Sequence, residues 1–487
     1  MTTHTRTRTH GRLLGVLFAT VLATYVLIAL GTAVSTTGSA GGCTTWPSCS
    51  SDWAVGPVSA DGLLFWGHRA VALGTGVLLA ATAVLAWRES VGRRLALAIG
   101  VAVVLYPIQV ALGAALAVYD VPLASVGHLA LAGVIFAGLL VALVLALEDA
   151  AGTDAVDETP VASTATAEHE PEPPTAAAAV DANAHTLERD PSVLERARRT
   201  AGAYLTLTKP KLMWLLCLVA LAGMGLATLT GERLEVTTAL ATLVGGVLAI
   251  GASGTFNHVY ERDRDRKMAR TADRPMVHDQ VPVRNAVAFG VVLTVASVVV
   301  VYTWVNALAT VLTVSAIVYY VVLYTILLKP NTVWNTVLGG GAGAIPALIG
   351  WAAVTGSIGP PAVALAAVIF LWTPAHFYSF AITYKDDYAR GGFPMLPVVE
   401  GDLLARRHIA LYLGATLLAA SVLGWLAGLG WLYALTSVAL GAVFLRSVVR
   451  QYHTPTEAAA LRSFFVSNYY LGAILLAVIV ETLVLAG

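Results

Sequence analysis

Residues 257–275, NHVYERDRDRKMARTADRP, put four acids, six bases and an amide directly after the apolar run ATLVGGVLAIGASGTF. If that run continues as a helix, Asn257, Glu261 and Asp265 stand at i, i+4 and i+8 and share one face. Lys267, Arg270 and Arg274 follow closely, while Asp263 points elsewhere on the same helix. Carboxylates and an amide oxygen are hard donors, and without a neighbouring Cys or His pair they suit Mg2+ rather than zinc. A bare acidic face repels phosphate; acids that hold Mg2+ and are flanked by bases bind a diphosphate through the metal. The ordinary alternative for so charged a stretch is a solvated loop.

A second stretch shifts the balance. In LWTPAHFYSFAITYKDDYARGGFPMLPVVEG, residues 371–401, Asp386 and Asp387 again follow an apolar run, with Arg390 and a Gly-Gly turn after them. Two acid clusters on one membrane face can converge on metal ions across a helical bundle. The substrate that fits carries a diphosphate head at the rim and a lipid tail between apolar helices.

The elements that position these groups follow from composition. Of 487 residues, 57% are hydrophobic and 12% charged, about half the charge of a soluble domain. Thirteen apolar windows recur, at 13–32, 63–87, 94–118, 124–147, 212–230, 236–257, 284–303, 306–328, 335–354, 361–383, 408–426, 430–447 and 465–486. Each is long enough to cross ~30 Å of hydrocarbon as a helix. Period-2 alternation is absent, so the expected fold is an all-α polytopic membrane protein rather than a barrel. The first apolar run reads as a retained helix, not a cleaved signal.

Lys and Arg cluster in alternate loops, whereas 33–62 and the links 119–123, 303–306, 354–360 and 427–430 contain neither. The positive-inside rule puts the N-terminus and both acid motifs in the cytoplasm and the C-terminus outside the cell membrane. Residues 149–195 are rich in Ala, Pro, Thr and acids and read as a disordered tether suited to a salty cytoplasm. The tether separates a four-span part, 1–148, from a nine-span part, 196–487, entered through a short interfacial helix in PSVLERARRTAGAYLTLTKPK. Zero net charge offers no nucleic-acid surface. Cys43 and Cys49 lie in an outer loop, where a disulfide can persist, and Cys217 lies within a span as inert packing.

N-x-x-x-E-R-D-R-D-R-K-M-x-R-T-x-x-R-P, LTKPKLMWLL from 207, YTILLKPNTVWNTVLGGGAGAIPALIGWAA from 324 and LWTPAHF…DDY…PMLPVV occur in order. Together they resemble heme O synthase, a UbiA-type intramembrane prenyltransferase family, over roughly 200–487. The resemblance implies a nine-helix bundle that moves the farnesyl group of farnesyl diphosphate onto a vinyl group of heme b. It also implies Mg2+ on Asn257, Glu261 and Asp265 and on Asp387 with Asp386, with Asp265, Asp387 and Lys267 central to catalysis. Glu261 stands where the family usually has Asp, which shifts more of the metal to Asp263 or Asp265. Lys267, Arg270 and Arg274 would neutralise the departing diphosphate. Lys209 and Lys329, each beside a proline, would bind diphosphate or heme propionates, or act as snorkelling anchors. His376 is a candidate for heme contact or for hydrogen-bonded packing. Asn335 and Gly339, Gly340 and Gly341 would permit close helix approach or a broken helix.

In the first part, His68 and His128 fall near the outer ends of two different spans, where a pair of imidazoles can ligate one heme iron. The stretches LGTAVSTTGSAGGCTTWPSC, WGHRAVA, QVALGA and VGHLALA are similar to one half of heme A synthase. That similarity implies heme on His68 and His128, a Cys43–Cys49 disulfide, and completion by a homo-oligomer or a heme A synthase partner. Phe65 stands where those relatives carry Glu, and the nearest carboxylates are Asp52 and Asp61, so heme binding or transfer is expected rather than oxidation. The rivals to heme prenylation are prenyl transfer to an aromatic quinone precursor and heme transport.

Overall fold

The computed structural model of the protein describes residues 3–36, 46, 60–119, 124–157 and 192–486. Every regular element among them is helical. The order is α1 (Thr3–Thr36), α2 (Ala60–Arg88), α3 (Arg93–Val118), α4 (Ala124–Asp157), α5 (Val193–Leu207), α6 (Pro210–Thr228), α7 (Val236–Asp265) and α8 (Val283–Trp304). Next come α9 (Ala307–Val318), which runs on as a π-helix (Tyr319–Leu328), α10 (Asn335–Thr355), α11 (Pro360–Thr383), α12 (Lys385–Arg390), α13 (Leu396–Val399), α14 (Asp402–Ala427), α15 (Trp431–His453) and α16 (Glu457–Ala486). Thirteen of these are long and apolar enough to cross a membrane, in the places the windows indicate. The chain is an all-α polytopic membrane protein.

Several helices outrun their apolar windows. Helix α7 passes Phe256 without a break and carries the charged motif to Asp265, and α4 continues to Asp157, into the segment expected to be a tether. Cys43, Cys49, Asp52 and most of the tether lie outside the described residues, while Cys217 is free and half-buried. Helix α5 forms as expected, its start fixed by a capping box in which Ser192 and Glu195 satisfy each other's backbone amides.

Inside lipid, hydrocarbon contact alone does not favour helix association, so close approach must come from small residues. A Cβ on Gly223 would strike the carbonyl of Ala347, and one on Gly350 that of Ala220, which is why α6 and α10 can lie backbone to backbone. The Ser297 hydroxyl on α8 donates to the Gly245 carbonyl on α7 at 2.7 Å. Gly339 and Gly341 receive the rings of Tyr324 and Tyr319, so these glycines permit close packing in an unbroken α10. Glu481, buried in α16, accepts from the amides of Gly430 and Tyr433 at 2.5 and 2.8 Å and so caps the start of α15. Helices α1–α4 pack on one another, and α1 and α4 rest on α14 and α15. Leu140 fills the notch at Gly414, Tyr25 bonds Ser437 at 2.5 Å, and Glu148 holds Arg407 through two bonds of 2.7 and 2.6 Å.

Candidate active site

The uninterrupted α7 decides the geometry. Asn257, Glu261 and Asp265 are each about 1% exposed and stack on one face, each one turn or about 6 Å above the next. Three cations reach this face from three other segments, one to each rung. The Lys209 ammonium donates to Asn257 Oδ1, and to the Tyr320 hydroxyl at 3.2 Å. Lys329 Nζ donates to Glu261 Oε1 at 2.6 Å and lies 4.4 Å from the centre of the Phe393 ring. Arg274 donates to Asp265 Oδ2 at 2.6 Å.

Local structure puts each cation in place. Lys209 sits in the left-handed region, φ 56°, as the last residue before Pro210 opens α6. Such strain in a residue other than glycine persists only where the surroundings enforce it, and it gathers at functional sites. Burial pushes the Lys209 ammonium down to about 8 against the pull of Glu261 and Asp265. The π-helix ends with the Lys329 amide bonded to the Tyr324 carbonyl at 2.8 Å, a span of five residues. This winding turns Tyr320 and Thr325 toward α7, where the Asn257 amide donates to Thr325 Oγ1 at 3.1 Å. Sequence reasoning missed Tyr320, Thr325 and Phe393; polar residues inside an otherwise aliphatic window signalled the first two, and nothing in the sequence signalled Phe393.

The second acid motif behaves differently from the first. Asp387 Oδ1 accepts from the Ala269 amide at 3.0 Å and Oδ2 from the Arg270 amide at 3.1 Å, and the Arg390 guanidinium also donates to Oδ1. Burial pushes the Asp387 carboxyl up, but the two amides and Arg390 outweigh it and hold the group below its ordinary range. Asp387 therefore pins the turn that follows α7. The Arg270 side chain lies 5.1, 5.4 and 5.9 Å from the ring centres of Phe380, Tyr384 and Tyr388. Asp263 is exposed and pairs with Arg262 at 3.3 Å; Asp386 and Lys267 are also exposed.

Asn257, Glu261 and Asp265 offer oxygen donors alone, the ligand class of Mg2+. Asp265 Oδ1 is buried without a hydrogen-bond partner. Among the described residues no three His, Cys, Asp or Glu side chains form a metal-binding group. An ion here would therefore rest on two carboxylates and an amide, with water and phosphate completing its shell, which is the usual habit of Mg2+.

His376 is a packing residue in its geometry. Its ring is stacked between Trp372 and Phe464, at 4.2 and 4.3 Å, and its Nδ1 bonds Ser467 at 2.7 Å. Asn335 donates to the Thr332 carbonyl at 2.7 Å at the start of α10. His68 and His128 lie near the starts of α2 and α4, each against a glycine: a Cβ on Gly31 would come 3.2 Å from His68, and one on Gly113 2.9 Å from His128. Gln109 donates to the His128 carbonyl at 3.0 Å, yet its own Oε1 and the Nδ1 atoms of both histidines are buried without partners.

The family model of UbiA prenyltransferases matches residues 216–469. Over 476 residues the chain is 52% identical to the protoheme IX farnesyltransferase of Haloarcula marismortui, covering 97% of this chain and 98% of that one. It is 50% identical over 474 residues to the protoheme IX farnesyltransferase of Halobacterium salinarum, covering 96% and 97%. A solved UbiA homolog from Archaeoglobus fulgidus bound to GPP and Mg2+ aligns with 57% of this chain and 99% of its own, at 15% identity and a TM-score of 0.44.

Proposed function

The chain belongs to the UbiA prenyltransferase family, and on that premise we propose that it transfers the farnesyl group of farnesyl diphosphate to a vinyl group of heme b, giving heme O. The observation that carries the chemistry is the three-rung face of α7, with one cation at each rung. The acceptor follows from full-length similarity to protoheme IX farnesyltransferases.

Asn257, Glu261 and Asp265 would hold Mg2+, which supplies charge for the departing diphosphate when bound. Lys209, Lys329 and Arg274 add positive charge that needs no reorganisation, because each is already seated at this face. The bond from farnesyl carbon to diphosphate oxygen breaks with its electron pair on oxygen. The vinyl terminus then forms the new carbon–carbon bond, and water captures the remaining cation, leaving a hydroxyl and releasing a proton. Phe393 and the apolar helices keep water from the farnesyl cation before that point. Asp387 acts through the turn it pins and through the Arg270 and Arg274 carried beyond it.

The rest of the reading divides the chain at the tether into a four-helix bundle similar to half of heme A synthase and a nine-helix prenyltransferase bundle. The placement of Lys and Arg supports an N-terminus and an active site in the cytoplasm and a C-terminus outside. The unpartnered nitrogens of His68 and His128 support a heme held between them. Prenylation of a quinone precursor and heme transport remain the rivals.

Incubation of the full chain with heme b, farnesyl diphosphate and Mg2+ should yield a farnesylated, hydroxylated heme by mass. Asp265→Ala should lower kcat/KM by about 10²-fold to 10³-fold. Unchanged rates in metal-stripped protein would overturn the metal assignment, and a product from a quinone precursor alone would overturn the acceptor. Loss of a six-coordinate heme absorption spectrum in His68→Ala or His128→Ala checks the first bundle.

A further inference from the structure

A cavity of about 270 Å³ opens between α1, α4 and α15, toward the end of α15 that carries His453. Each helix contributes one stripe. From α1 come Gly11, Leu14, Gly15 and Phe18, at i, i+3, i+4 and i+7; from α4 come Leu143 and Leu147; from α15 come Arg446, Val449 and His453. The glycines give the cleft its depth, since a Cβ on either would meet nothing within 4 Å. The walls are aliphatic and aromatic, and the two polar groups that line the cleft are both basic and exposed. Among the described residues, neither Arg446 nor His453 is paired with a carboxylate.

We propose that this cleft binds an anionic phospholipid of the cytoplasmic leaflet. Its phosphate sits between Arg446 and His453, and one hydrocarbon chain runs along Gly11, Gly15, Phe18 and the two leucines. The charge and the greasy walls select that class together: an apolar groove alone takes any lipid, and a basic pair alone takes any anion. Arg446 lies two turns, about 10 Å, deeper than His453, a depth from which an arginine reaches the headgroup level along its own stem. Basic pockets between helices on the cytoplasmic side recognise acidic headgroups in this way. The lipid would bridge α1 and α4 to α15, the seam between the first four helices and the rest of the chain.

The test is native mass spectrometry of the full chain in detergent with added phosphatidylglycerol or phosphatidylcholine. Phosphatidylglycerol should be retained at lower concentration than phosphatidylcholine. Arg446→Gln should weaken its retention about fivefold, His453→Gln should weaken it in the same direction, and Gly15→Leu should abolish it by filling the groove. Farnesyl transfer should be unchanged in Arg446→Gln. Equal retention of the two lipids, wild-type retention in Arg446→Gln, or displacement by millimolar inorganic phosphate would each overturn the proposal. Arg446→Gln alters an exposed side chain, so it decides the matter even if Gly15→Leu fails to fold.

Discussion

Lys329 and Glu261 meet at 2.6 Å with side chains 13% and 2% exposed, and Lys209 and Arg274 add a more distant attraction to the same carboxylate. Removing one member of such a pair leaves the other buried and uncompensated, at a cost of about 3–5 kcal/mol, whereas replacing both is often nearly neutral. Thermal unfolding of the ligand-free chain should therefore show Lys329→Met strongly destabilised and the Lys329→Met, Glu261→Gln double variant partly restored. Equal midpoints for all three proteins would show that the pair contributes nothing. Asp387 gives a different signature. Its folded pKa lies below the unfolded value of about 3.9, so its contribution is complete above that pH and is lost as pH falls through the folded value. A midpoint series from pH 7 down to pH 3 should fall less steeply for Asp387→Asn than for the wild type. The acceptors on α7 were legible in the sequence because one helix sets their spacing. Lys209 and Lys329 were legible as candidate diphosphate or propionate binders beside prolines, but not as partners of Asn257 and Glu261, since a pairing that crosses helices leaves no period in the chain. The family resemblance put Asp387 ahead of Asp386, but adjacency in the chain gave no physical reason for the order; the turn at Ala269 and Arg270 separates the pinned carboxylate from the exposed one.

At the scale of elements, the thirteen windows located the spans because membrane thickness imposes a length on each helix. The windows could not place the ends, because α7, α14 and α16 keep their hydrogen-bond ladders well into charged residues. The π-helix was also hidden: its window of aliphatics and tyrosines has the composition of an ordinary span, and the extra residue per turn is set by packing against α7 and α10. Contacts between glycine faces are similarly invisible until the partner is known. Gly350 and Gly246 lie in spans of similar composition, yet a Cβ on Gly350 would collide with the Ala220 carbonyl and one on Gly246 would meet nothing within 4 Å. Gly350→Ala should cost about 1–3 kcal/mol through forced separation of α6 and α10. Gly246→Ala should be neutral or stabilising by up to about 1 kcal/mol, because alanine has less freedom to lose. Paired thermal denaturation in one detergent separates the two, and equal shifts would contradict the close-approach account.

Across the whole molecule, two kinds of contact join α1–α4 to the later helices, and their magnitudes differ. The Glu148–Arg407 pair has ideal two-bond geometry, but the arginine side chain is 44% exposed, and exposed pairs contribute about 0–1 kcal/mol. Deeper in the membrane, Leu140 occupies the notch at Gly414, and Tyr25 packs by Gly441 and bonds Ser437. There, no water competes for the hydroxyls and no gap remains for an added methyl group. The buried seam should therefore govern docking, with the surface pair setting orientation at most. A protease site placed between residues 158 and 191 allows a direct comparison after cleavage. The two fragments should copurify from the wild type and from Arg407→Gln, and should separate in Gly414→Leu, where overpacking costs about 1–3 kcal/mol or more. Separation in Arg407→Gln with retention in Gly414→Leu would reverse the order and make the ion pair the principal link.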